Sequence, residues 1–234
     1  MSAPGDTDPA PAAFPADHAL DEQQIRTAIC LDGKAAVGTG STGPAARQDA
    51  YALRLFPEHE DARLRAQMAD AMYSCGLNAL ACWRATDIDA PELHEPYSAH
   101  VGAALAWLGS IAQRMGAYVP LRTRGQCDAY APRPGDVLVV DGPVHVIVLT
   151  DTADTLPAMG DAPDFVTSEG GHPEISPSGE HGMGIISRTL RLRRTVNGLL
   201  QTGSVDARTG AVTWGRVVLY AVDAGLLRRS SEQA

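Results

Sequence analysis

Apolar residues change their period near the middle of this chain, and that change limits the folds open to it. Up to Gly116 they recur every three to four positions: Val101, Leu105, Leu108, Ile111, Ala112 and Met115 make the clearest helical stripe, which Gly116 ends. Shorter helices are expected over Asp21 to Cys30, where Ile25, Ala28 and Ile29 share a face, over Glu58 to Met72, with Leu64, Met68 and Met72 four apart, and over Gly76 to Arg84. Gly33 to Gly43 reads as a flexible Gly- and Thr-rich connection. Beyond Pro120 the pattern turns to β-branched runs. Val137 to Val140 and Val144 to Leu149 flank Asp141-Gly142-Pro143 as strand, turn and strand, and further strands are expected at Phe165 to Ser168, Ile185 to Arg194, Leu199 to Thr202 and Val217 to Val222. Helices first and strands second predict an α+β fold, N-terminal helices packed on a C-terminal antiparallel β-sheet.

With 234 residues, 44% of them hydrophobic and 20% charged, the chain suits one domain with a full core, expected over residues 21–234 behind a disordered tail at 1–20. No apolar run approaches the roughly 18 residues of a membrane span, so no membrane partner is expected. The net charge of −9 and the lack of clustered Lys and Arg argue against nucleic acid. The N-terminus has neither a basic n-region nor an apolar h-region, so no signal peptide is readable; cytoplasmic synthesis is expected, with export by phage lysis or a secretion system left open. Cysteines at 30, 75, 82 and 127 form no CxxC pair and have no His at zinc-ligand spacing, and neither a structural metal nor a cofactor is expected.

One cysteine stands where chemistry would need it. Tyr73-Ser74-Cys75-Gly76-Leu77 marks a break followed by an apolar helix, and a helix N-terminus lowers a thiol's pKa through its unpaired N–H groups. Gly76 leaves room for a substrate backbone, while Cys82, two turns on, reads as core. His145 lies seventy residues downstream inside Val144-His145-Val146-Ile147-Val148, on the face of Ile147 and Leu149, where an imidazole must be hydrogen-bonded or be a general base. A third polar cluster follows at Glu169-Gly170-Gly171-His172.

Pro134-Gly135-Asp136-Val137-Leu138-Val139-Val140, a turn, and His145-Val146-Ile147-Val148 together resemble the strand pair of NlpC-type and CHAP-type papain-like cell-wall hydrolases, over roughly residues 70 to 190. The resemblance implies a papain-like fold, Cys75 as nucleophile, His145 as base, and a third residue from the next strand. CHAP-type sites would place it at Glu169, NlpC-type sites at His172. Alternation puts Glu169 and His172 on opposite faces unless Gly170-Gly171 bulges. The aspartate that often precedes the NlpC-type nucleophile is Ser74 here. Tyr73, Ser74, Gly76 and Trp83 are the residues expected to line a substrate groove, with core the competing role for the aromatics. The implied reaction is acyl transfer from an amide in peptidoglycan peptides. The same pair would serve a deamidase or acyltransferase acting on proteins, and a non-catalytic binding module could keep the fold. His94, Glu95 and His100 do not form HExxH, GTGSTG at 38–43 lacks the Lys of a phosphate loop, and Arg191, Arg193 and Arg194 read as a solvated strand edge.

Overall fold

A computed structural model describes residues 17–71, 75–86, 88, 90–94, 104–142, 144–153 and 163–227. The helices are α1 (Asp17–Ala36), α2 (Ala45–Leu55), α3 (Ala62–Ala71), α4 (Cys75–Arg84), α5 (Ala104–Arg114) and α6 (Arg124–Ala129), with 3-10 turns at Pro91–His94 and Ala224–Leu226. The strands are β1 (Tyr118–Pro120), β2 (Val137–Val140), β3 (His145–Thr152), β4 (Phe165–Ile175), β5 (His181–Ile186), β6 (Thr189–Arg194), β7 (Leu200–Val205) and β8 (Val212–Val222). The fold is therefore mixed α+β, with one eight-stranded antiparallel sheet. No helix of the described residues is long and apolar enough to cross a membrane.

The sheet is antiparallel as expected, and it also closes. Its order is β1-β8-β2-β3-β4-β6-β7, and β7 also pairs with β8, so the path from β8 through β2, β3, β4, β6 and β7 closes on itself. Strand alternation then divides the core. Val137, Val139, Val146 and Val148 join Ile29 of α1, Leu55 of α2, Leu80 of α4 and Leu108 of α5 in one buried cluster. The intervening Leu138, Val140, Ile147 and Leu149 join Phe165, Leu190, Leu192, Leu200 and Val218 in a second, which the closed path surrounds.

Several local expectations change. α1 starts at Asp17, inside the expected tail, and continues through Ala36, so the first four residues of the expected connection at 33–43 are helix. Gly33 permits this because a Cβ there would lie 2.8 Å from Thr150 Cγ2 and 3.4 Å from Ser168 Cβ, and α1 rests directly on β3 and β4. The GTGSTG segment runs along β5: Gly38 N–H donates to Ile185 O, Ser41 N–H to Met183 O, and Ile185 N–H to Thr39 O. β6 pairs β7 along its whole length but β4 only at Thr189 and Leu190, so Arg191, Arg193 and Arg194 lie past the β4 ladder, Arg193 and Arg194 exposed as the expected edge has them and Arg191 half-buried. Arg191 makes two bonds to buried Asp164, at 2.6 and 2.7 Å, and the Arg193 guanidinium lies 3.9 Å over the Trp214 ring. The expected strand over Ile185 to Arg194 breaks at Ser187-Arg188 into β5 and β6.

Gly135-Asp136, the motif before β2, is a structural anchor. Gly135 has φ +93°, and a Cβ there would lie 3.1 Å from Arg26 Cα. Asp136 is fully buried, and its two oxygens accept from Arg26 Nη1 (2.7 Å), Tyr130 OH (2.8 Å), Arg133 N (3.0 Å) and Ala224 N (3.1 Å). This ties α1, the approach to β2 and the C-terminal 3-10 turn together. Asp136→Ala would leave a buried guanidinium without its main partner, and we expect a loss of about 3–5 kcal/mol, measured by urea unfolding. A loss below about 1 kcal/mol would show that Arg26 is satisfied elsewhere.

Candidate active site

Cys75 is the first residue of α4 and is buried, with 8% of its surface exposed. Backbone N–H groups of Val146 and Gly76 reach its sulfur, as does the His145 ring. Two residues hold α4 in place. Buried Asn78 accepts from Arg54 Nε of α2 (3.0 Å) and donates to Ser168 Oγ of β4 (3.2 Å). Arg54 Nη2 also contacts Cys82 Sγ at 3.2 Å and Asp32 Oδ2 at 2.6 Å. Cys82 is thus the core residue its spacing suggested, and its thiol is pushed up to about 12 by burial. Trp83 is also fully buried, and we correct its expected place in a substrate groove to the helical core. Gly76 is buried beside Cys75, whereas Tyr73 and Ser74 lie outside the described residues, as do Glu95 and His100.

His145 opens β3, three positions before the β3–β4 ladder begins at Val148–Ser168. Its Nε2 lies 2.9 Å from Glu169 Oε2. The alternation of β4 sends Ser168 toward α4, and Thr167 and Glu169 to the opposite face. Thr167 Oγ1 donates to Glu169 Oε1 at 2.8 Å, which fixes the carboxylate's second oxygen.

A bulge then decides where His172 goes. The β4–β5 register shifts between Glu169–Ile186 and His172–Gly184, and Gly171 has φ +71°. The extra residue turns His172 onto the Glu169 side, its Nε2 3.2 Å from Glu169 Oε2 and 3.3 Å from His145 Nε2. The two imidazoles meet edge to face, with ring centroids 5.0 Å apart. The candidates Glu169 and His172 are therefore both at the site. Glu169 makes the shorter contact to His145.

Arg188 completes the cluster, and sequence reasoning missed it. It stands in the break between β5 and β6, where Thr167 N–H donates to its carbonyl and its own N–H donates to Thr167 Oγ1. Its Nη2 lies 2.8 Å from both Glu169 Oε2 and His172 Nε2. The only signal in the chain was the Ser187-Arg188 interruption of an otherwise β-branched run, and the arginine's partner is nineteen residues away. Tyr220 of β8, buried and in ring contact with Tyr118, is near enough to Cys75 for its phenol to be pushed up by burial, by Tyr118 and by the thiolate.

The charges of the cluster support one another. Burial raises the Cys75 thiol, but the His145 hydrogen bond and charge, with the two backbone N–H groups, outweigh it and bring the pKa below the ordinary value. Burial likewise lowers His145, while bonds to Cys75 and Glu169 outweigh it and raise the ring to about 9. Glu169 is 2% exposed, yet His145, His172 and Arg188 overcome the cost of burial and hold it well below the usual carboxylate range. Near neutral pH this favours a thiolate–imidazolium pair backed by a carboxylate. The donor atoms of His145, Glu169 and His172 also lie within 4.8 Å of one another, close enough for one metal ion, and Arg188 now brings the positive charge to that place.

Iodoacetamide at pH 7 should therefore alkylate Cys75 at least about tenfold faster than Cys30, whose thiol burial raises to about 11, or Cys82. Peptide mapping of the labelled protein measures this, and equally slow labelling of all three would refute an activated thiolate. Compared with known proteins, the chain matches no family model, no curated protein and no solved structure, so the reading of this site rests on its own geometry.

Proposed function

We propose that this chain is a papain-like cysteine amidase or endopeptidase, of the kind its NlpC-type and CHAP-type motifs resemble, acting on amide bonds of peptidoglycan peptides. The observation that carries the reading is the hydrogen-bonded series from Cys75 at a helix N-terminus through His145 to buried Glu169. Nucleophile, base and orienting acid are the three roles that thiol acyl transfer requires.

In the proposed reaction the Cys75 thiolate attacks the amide carbonyl. The oxyanion is stabilised by N–H groups at the start of α4, where the helix presents unpaired donors and partial positive charge. His145 Nε2 is held by Glu169, so Nδ1 is the nitrogen that gives its proton to the departing amine. Water, activated by the ring now neutral, resolves the thioester and restores the ion pair. Glu169 keeps the imidazole oriented and stabilises its positive form, and Thr167 and Arg188 keep the carboxylate in place.

The pH dependence separates the two roles of the dyad. Above about 9 the ring loses the proton it must donate, so hydrolysis should fall while Cys75 remains a thiolate and its alkylation does not fall. At low pH the thiolate is protonated, and both should decline together. Parallel rate profiles for hydrolysis and iodoacetamide labelling test this, and an alkaline loss of labelling would contradict it.

The substrate is tested with purified muropeptides, wild type and Cys75→Ala. Wild type should release cleaved peptides detectable by mass spectrometry, and the variant should lose at least about a thousandfold in rate. Cleavage that survives in Cys75→Ala would remove the thiol from the mechanism. Inert muropeptides alongside a modified protein glutamine would move the activity to protein deamidation or acyl transfer.

A further inference from the structure

Three donor atoms beside the thiol close a triangle with edges of 2.9, 3.2 and 3.3 Å: His145 Nε2, Glu169 Oε2 and His172 Nε2. Ligands held tetrahedrally about 2.0–2.1 Å from a zinc ion stand about 3.3 Å from one another. The triangle thus has nearly the size of one face of a zinc coordination shell.

Protons alone satisfy this arrangement poorly. If both imidazoles donate from Nε2 to Glu169 Oε2, two donors face each other at 3.3 Å. If instead His172 Nε2 accepts at 2.8 Å from Arg188 Nη2, a group that can only donate, its lone pair faces those of Glu169 Oε2 at 3.2 Å. A cation in place of the shared protons would use the lone pairs of all three atoms at once.

We propose that His145, Glu169 and His172 form a binding site for a borderline divalent cation of the Zn2+ type, and that the ion, exchanging with the Arg188 guanidinium, holds the enzyme inactive. The ion's identity follows from the donors, since two imidazoles and one carboxylate favour zinc or copper over magnesium or calcium. Arg188 can leave because its side chain is 37% exposed, and its Nε has no hydrogen-bond partner among the described residues. The regulatory part of the inference rests on the function proposed above. A metal on Nε2 leaves His145 with only Nδ1, and a ring carrying metal on one nitrogen and a proton on the other can accept no proton from Cys75. The resolving water then has no base, and the departing amine meets a metal-bound Nδ1–H that is a far weaker acid than the imidazolium, while no covalent bond forms or breaks.

The chain, freed of metal and titrated with Zn2+ against a chromophoric chelator, should bind one equivalent. His172→Ala should weaken binding at least about tenfold. Cys75→Ala should leave it within about threefold, because the sulfur is not among the three donors. Arg188→Gln should tighten it about tenfold by removing the competing charge. That gain cannot come from misfolding, which keeps the site testable even where His172→Ala fails to fold. Saturating Zn2+ should slow muropeptide cleavage by at least about tenfold, with chelator restoring it. No stoichiometric binding, or binding abolished by Cys75→Ala, would overturn the site. Zinc bound as expected with unchanged cleavage would overturn its inhibitory role. Zinc binding by a chain that cleaves no amide would leave the site standing and reject the hydrolase, whereas cleavage without zinc binding would reject the metal site alone.

Discussion

The buried pair between Arg26 and Asp136 is the constraint on which the rest of this structure depends. Four hydrogen bonds converge on a carboxylate with no exposed surface, and the guanidinium that supplies the first also binds Glu22, Asp223 and the Pro134 carbonyl. Elements far apart in sequence meet there: the first helix, the entry to β2 and the last turn. An ion pair so far from water is costly unless every lone pair and proton is used, and here the Asp136 oxygens are used by Tyr130, Arg133 and Ala224 as well. Once β2 is placed against α1, its ladder to β3 sets the height of His145.

The site is built at the end of that ladder. β3 and β4 pair from Val148–Ser168 onward, and beyond this point β4 turns to β5, so His145 and Glu169 lie where the sheet opens. Asn78 and Arg54 bring the start of α4 to the same place from the helical side. Glu169 is the centre of the cluster: one of its oxygens faces two imidazoles and a guanidinium. A carboxylate with 2% exposure stays ionised only because those partners outweigh the cost of leaving water, and in turn it stabilises the charged form of His145.

Where periodicity was strong, the elements were legible before the structure. Within the described residues the stripe ending at Gly116 is α5, Val101 lying outside them, and Val137 to Val140 and the run after Val144 are β2 and β3. No helix is expected over α2, although Tyr51 and Leu55 are four apart and both buried, because the rest of its short sequence is mostly small or charged residues. α6 is only six residues long, and its capping box, Thr123 with Gln126, is a signal that a period search does not detect. The break before β6 was unread because Ser187-Arg188 interrupts the run without a glycine or proline. Sheet closure was also hidden, since pairing of β7 with β8 is a property of register between segments and not of either segment.

By itself the sequence determined the helical and extended halves, the thiol at a helix start, the histidine in a strand and the two candidates for its partner. These follow from local pattern and residue chemistry, which the chain carries in one dimension. Tertiary structure alone decided that both candidates reach the site. The Gly170-Gly171 bulge cancels the alternation that would have separated Glu169 from His172, and it exists only in the pairing of β4 with β5. It also decided that Arg188 joins them. A side chain's partner across nineteen residues is fixed by where two strands end relative to one another, and that relation forms only when the sheet closes.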